Sequence, residues 1–151
     1  MPTSPKLNPT LRSFIERQHL FFVATAARDG RVNLSPKGMD TLNIIDDNRI
    51  IWLNLSGSGN ETAAHLREVP RMTLMFCAFE GDPMILRVYG DARTLHPRDR
   101  EWDDLLAQFP QIAGSRQIFD LTIDLVQASC GTGVRHGIPE QSRRDRACPL
   151  L

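Results

Sequence analysis

Ser56, Ser58, Asn60 and Thr62 stand at alternate positions in the stretch "LSGSGNETAAHL", with Gly57 and Gly59 between them. Hydroxyl and amide side chains at that spacing can donate hydrogen bonds, and the glycines let backbone amides come close. A helix start follows, so exposed amides and a positive helix end could together attract a phosphate. The same residues also read as a capped turn, with Ser58 or Asn60 as N-cap and Glu61 stabilising the first turn. The stretch is not a Walker A loop, because no Gly-Lys-Ser/Thr follows the glycines. Nor is it the dinucleotide fingerprint, because no parallel unit surrounds it.

A second cluster is "NLSPKG", residues 33 to 38. Lys37 could neutralise a phosphate or a developing negative charge, with Ser35 donating beside it, or it could be a solvated lysine in a turn. Pro36 cannot donate to a strand ladder and Gly38 permits unusual backbone angles, so the segment is expected to break or bulge its strand. In "ILRVYG", Arg87 and Tyr89 share a strand face with Ile85, opposite Leu86 and Val88; Arg87 could reach a ligand, an acidic partner or a surface pair. Trp52 and Trp102 read as core or interface anchors. Cys77, Cys130 and Cys148 have no CxxC spacing and the four histidines no ligand spacing, so neither a disulfide framework nor a metal site is expected. No Ser-His-Asp, Cys-His or close carboxylate pair stands out for hydrolytic chemistry.

The elements that must position these groups follow from periodicity. Asn8 and Pro9 open a helix whose stripe is Leu11, Phe14 and Ile15. "LFFVATAA", "VNLS", "TLNII", "IIWLNL", "RMTLMFCAF", "ILRVYGDARTLH" and "QIFDLTIDLVQASC" read as strands. The Asp-Gly of "RDGR" signals a tight hairpin between the first two. Asn60 to Glu68 reads as a helix stopped by Pro70, and His96 and Pro97 as the start of another with Trp102, Leu105, Leu106 and Phe109 on its apolar side. Hairpin-dominated order favours an antiparallel barrel over a doubly wound sheet, since parallel strands need helical crossovers.

The 151 residues suit one domain, residues 1–151, with a loose C-terminal tail over about 137–151. Lys and Arg total 18 and Asp and Glu 18, so no general basic field exists to attract nucleic acid or an acidic membrane surface. Apolar runs are far shorter than a bilayer span and the opening lacks a signal peptide's apolar centre, so a cytoplasmic location is expected.

Taken together, "FFVATAARDGRVNLSPKG", "IIWLNLSGSGNETAAHLREVPRMTLMFCAF" and "ILRVYGDARTLH", in that order, resemble the pyridoxamine 5′-phosphate oxidase-like family of flavin-binding split barrels. "LVQASCGTGV" resembles that family's closing strand. The resemblance implies a mainly β fold, a six-stranded antiparallel split barrel with a few short helices. It also implies a homodimer with FMN at the subunit interface and a small-molecule substrate; some relatives use a deazaflavin instead. Ser58, Asn60 and Thr62 would then lie in the phosphate-contacting loop, and Ser35, Pro36, Lys37 and Gly38 on the strand lining the flavin. Trp52 and Arg87 complete the expected cofactor-contacting set.

The chain departs from the vitamin B6 oxidases within that family. Ser35 stands at the strand's leading arginine, Thr62 at the loop lysine and Ile85 at the fifth-strand glutamine. An FMN-dependent oxidoreductase acting on another small molecule fits these departures, and a non-catalytic flavin binder, a redox sensor or carrier, is the alternative. An oligonucleotide-binding barrel is disfavoured by zero net charge and 7% aromatic residues.

Overall fold

A computed structural model describes residues 3–57 and 59–132; Ser58 and the tail over 137–151 lie outside the described residues. The order is β1 (Thr3–Ser4), α1 (Pro9–Glu16), β2 (Leu20–Thr25), β3 (Asn33–Gly38), β4 (Leu42–Asp46), β5 (Arg49–Leu55), α2 (Glu61–Glu68), β6 (Arg71–Cys77), β7 (Met84–Leu95), α3 (Trp102–Leu106) and β8 (Ser115–Cys130). α1 forms where its cap predicts: Asn8 Oδ1 accepts from the Leu11 amide at 2.9 Å and Pro9 follows the cap.

The strands pair antiparallel throughout in the order β3-β2-β6-β7-β8-β5-β4, with the short β1 added beside β8. The path thus holds seven strands, against the six implied by the resemblance. Its two edges, β3 and β4, are consecutive in the chain. The sheet therefore curls into a half-barrel whose edges are tethered at the turn through Met39 and Asp40, beside which the Leu53 amide donates to Thr41 O at 2.7 Å.

Three local expectations are corrected. Ser35, Pro36, Lys37 and Gly38 do not break their strand; all four lie within β3, which accommodates Pro36 because it is an edge strand. The break comes immediately after, where Met39 and Asp40 both take positive φ (61° and 55°). The β2–β3 connection is not a tight Asp-Gly turn, because pairing stops at Thr25 and Asn33 and leaves residues 26–32 as the loop. The third helix begins at Trp102 rather than at His96; the intervening residues form a turn in which Asp99 Oδ2 accepts from the His96 amide at 2.7 Å.

The concave face of the half-barrel encloses the main core, including Phe21, Val23, Trp52, Leu74, Phe76, Val88, Phe119 and Leu121. A second core lies beneath α3 on the other face, where Trp102 and Phe109 pack on Ile51, Leu53, Leu95 and Ile118. β5 is consequently apolar on both faces, one per core. At the margin of the second core Asp120 accepts from Arg49 and Arg93, and Arg93 also pairs with Glu101. Burial opposes ionisation of Asp120, but the hydrogen bonds from the two guanidinium groups outweigh it and hold the carboxyl below its usual range. Among the described residues no helix is long and apolar enough to cross a membrane.

Candidate functional site

β3 carries the first half of the site. Its register sets Asn33 opposite Thr25, Ser35 opposite Val23 and Lys37 opposite Phe21, all three partners buried. Since directly paired residues share a face, Asn33, Ser35 and Lys37 form a polar row on the concave side, while Leu34 and Pro36 point outward. The Lys37 ammonium lies 5.6 Å from the centroid of the Trp52 ring, within cation–π range. Gly38 ends the row, and a Cβ there would come 2.9 Å from the His19 carbonyl oxygen, so glycine lets β3 approach that backbone.

α2 carries the second half. Asn60 occupies its N-cap position (φ −143°, ψ 26°) but its side chain makes no capping hydrogen bond, unlike Asn8 on α1. The capped-turn reading thus lacks an Asn60 side-chain bond, and Asn60 does not shield the first-turn amides. Thr62 is buried in that first turn, 7% exposed, and its Oγ1 accepts from Asn33 Nδ2 at 3.1 Å. This bond joins the two halves: the polar row of β3 starts at the N-terminus of α2. Lys37, four residues further along, is ~13 Å from Asn33 at the usual strand rise.

Three expected contact residues do not present their side chains to the site. Trp52 is 0% exposed, stacked on Phe119 at 4.4 Å and set edge-on to Phe21, with its indole N–H directed to Met72 Sδ at 3.4 Å. It has no free surface for a ligand; it is the floor on which Lys37 rests. Arg87 lies on the convex face with Ile85 and Tyr89, donating to Ser129 Oγ at 3.3 Å, so within one chain the sheet separates it from Lys37. Pro36 also faces away. The side chains of Ser35, Lys37 and Thr62 therefore come together with the backbone at Gly38 and Asn60, while Ser58 falls outside the described residues.

The geometry adds groups that periodicity did not single out. Asn33 sat within "NLSPKG", but its bond to Thr62 depends on a contact 29 residues away. Asn54 and Gln117 hydrogen-bond each other (3.1 Å) on the Trp52 side of β5 and β8. Arg116 donates to the carbonyl of Gly59, in the loop that enters α2, at 3.3 Å. An anion suits the α2 end of this set, where amides, a hydroxyl and a guanidinium converge, and an electron-rich ring edge suits the Lys37 end. No group of three or more His, Cys, Asp or Glu arranged to hold a metal occurs among the described residues.

Known proteins share the chain's sequence pattern and its fold. Residues 7–130 match the family model of pyridoxamine 5′-phosphate oxidase. Over 133 residues the chain is 35% identical to the pyridoxamine 5′-phosphate oxidase family protein ustO of Aspergillus flavus, covering 85% of this chain and 53% of that protein. The chain thus spans about half the length of the curated relative it matches. Solved structures of similar fold include a candidate pyridoxamine 5′-phosphate oxidase from Lactobacillus delbrueckii (16% identity, TM-score 0.66, covering 84% of this chain and 99% of that one). Others are an FMN-binding protein from Syntrophomonas wolfei (19%, 0.58, 78% and 82%) and HutZ, the heme storage protein of Vibrio cholerae (17%, 0.59, 83% and 97%). The order of motifs, the curled antiparallel sheet and these matches lead to one assignment: the chain belongs to the pyridoxamine 5′-phosphate oxidase-like family of split barrels.

Proposed function

We propose that this protein is an FMN-dependent oxidoreductase acting on a small molecule. The observation that carries the reading is the continuous polar row Asn33–Ser35–Lys37 running along concave β3 into the N-terminus of α2. The donor set fits FMN: first-turn amides that Asn60 does not cap and the Thr62 hydroxyl for the phosphate, with Ser35 about 7 Å and Lys37 about 13 Å along the strand from Asn33 for the ring. Family membership and the FMN-binding protein of similar fold support the same choice.

Bound FMN supplies hydride or single-electron chemistry at its ring. The chain's own residues supply position and charge. Thr62 is held by Asn33 and orients the phosphate end; Ser35 donates toward the ring edge. Lys37, fixed over Trp52, places a positive charge where negative charge accumulates on reduction, so Lys37→Gln is expected to make the bound flavin harder to reduce. The exposed convex-face residues Leu34 (62% exposed) and Leu125 (38%) suit burial against a second copy of the chain, and a homodimer is part of this reading.

The test is an absorption spectrum of the protein after incubation with FMN and desalting, followed by reduction with NADH, NADPH and a panel of small oxidisable substrates. Retained flavin that turns over supports the reading. Retained flavin that no donor reduces favours the second reading, a flavin carrier or sensor, which the neutral Asn33, Ser35, Asn54 and Gln117 side chains of the site support. Parallel incubations with a deazaflavin and with heme cover the alternatives suggested by the fold, and a protein that retains only one of those refutes FMN as the cofactor.

A further inference from the structure

We propose that Arg116 supplies the positive charge that neutralises the flavin phosphate; this rests on the FMN reading above. The phosphate end of the site needs a cation from somewhere. Ser35 and Thr62 are neutral, and Lys37 is four strand residues from Asn33, at the opposite end of the polar row.

The pairing of β5 with β8 shows how Arg116 comes to the right place. Asn54 pairs with Gln117 and Leu55 with Ser115, so Arg116 is the extra residue of a bulge. A bulge redirects the side chain of its unpaired residue. Here the half-buried Arg116 side chain reaches across to the loop before α2 and donates through Nη1 to Gly59 O at 3.3 Å. A second tie holds the same loop to the residue just before β8, with the Ser56 amide and hydroxyl both donating to Gly114 O at 2.7 and 3.1 Å.

Among the described residues no carboxylate forms an ion pair with Arg116, whereas Arg12, Arg49 and Arg93 all have one. One of its five N–H donors is engaged. The one carboxylate of that first turn, Glu61, folds over Gly59 without pairing with Arg116, so a guanidinium stands near the positive end of a helix, a combination that attracts an anion. A phosphate monoester held by the first-turn amides of α2 and the remaining Arg116 donors satisfies both.

The experiment compares dissociation constants for FMN and for riboflavin, which lacks the phosphate, in wild type, Arg116→Gln and Arg116→Lys. Titrations at low and high salt, with circular dichroism as a check on folding, complete the set. In Arg116→Gln, FMN is expected to weaken by at least ~10-fold while riboflavin changes little, with Arg116→Lys intermediate. The salt dependence of FMN binding should flatten in Arg116→Gln. If FMN and riboflavin shift equally, or neither shifts, the assignment of Arg116 is overturned while the cofactor reading stands. If wild type binds neither flavin, the cofactor reading itself fails and this inference falls with it.

Discussion

Replacing Asp120 by Asn keeps the shape of the side chain and removes its charge, which isolates the network that ties β5, β7 and β8 together. Asp120 is 5% exposed and receives four short contacts, from Arg49 Nε (2.8 Å) and Nη2 (3.0 Å) and from Arg93 Nε (3.0 Å) and Nη2 (2.8 Å). An Asn side chain has one acceptor oxygen, and its NH2 group faces guanidinium donors. Breaking a buried ion pair from one side costs ~3–5 kcal/mol, but Arg49 and Arg93 are 32% and 51% exposed and can rehydrate. The expected loss is therefore near the lower end, about 3 kcal/mol. For a chain of this size that lowers Tm by ~6–12 °C and, at an m-value of ~2 kcal/mol/M, the urea midpoint by ~1.5 M. Urea unfolding followed by tryptophan fluorescence measures this, since Trp52 and Trp102 each sit in a core. Because the Asp120 pKa is lowered on folding, its contribution is present above the ordinary carboxylate value of 3.8 and disappears as pH falls through the folded value. The gap between wild type and Asp120→Asn should be constant near neutrality and close in acid. A loss below ~1 kcal/mol at pH 7, or a gap that widens in acid, would refute the argument.

Three further perturbations probe other features. A Cβ on Gly90 would run into the Thr122 carbonyl at the β7–β8 bulge, and backbone on both sides cannot yield, so Gly90→Ala should cost at least ~2 kcal/mol in the same urea assay. Met39 holds φ 61° while 72% exposed, and Met39→Asn, better suited to that conformation, should raise stability by ~0.5–1 kcal/mol, read as a higher Tm. The Glu61 carboxylate folds back over Gly59 at the start of α2, where it would repel a phosphate; Glu61→Gln should tighten FMN relative to riboflavin, and an unchanged ratio would remove Glu61 from the phosphate end.

Local pattern carried much of this protein. The Asn8–Pro9 cap, the seven strand segments and the hairpin order that selects an antiparallel barrel depend on residues within a few positions of one another, and periodicity reports those. The same holds for Ser35 and Lys37 sharing one face of β3, a consequence of side-chain alternation alone. Alternation also put Arg87 with Tyr89, but could not say that their face is the convex one. That depends on which strands flank β7, and β8 is added from far along the chain. Trp52 reads in sequence as a core anchor while the family resemblance adds it to the contact set, and packing against Phe119 and Phe21 decides for the core. Arg116 had no signal, since its direction comes from a bulge in a pairing across some 60 residues. The sequence by itself determined the elements and the alternation of their side chains, both set by short-range backbone sterics and hydrophobic period. The tertiary structure alone decided which faces became the cleft and which charges reached it, because these depend on register between distant strands.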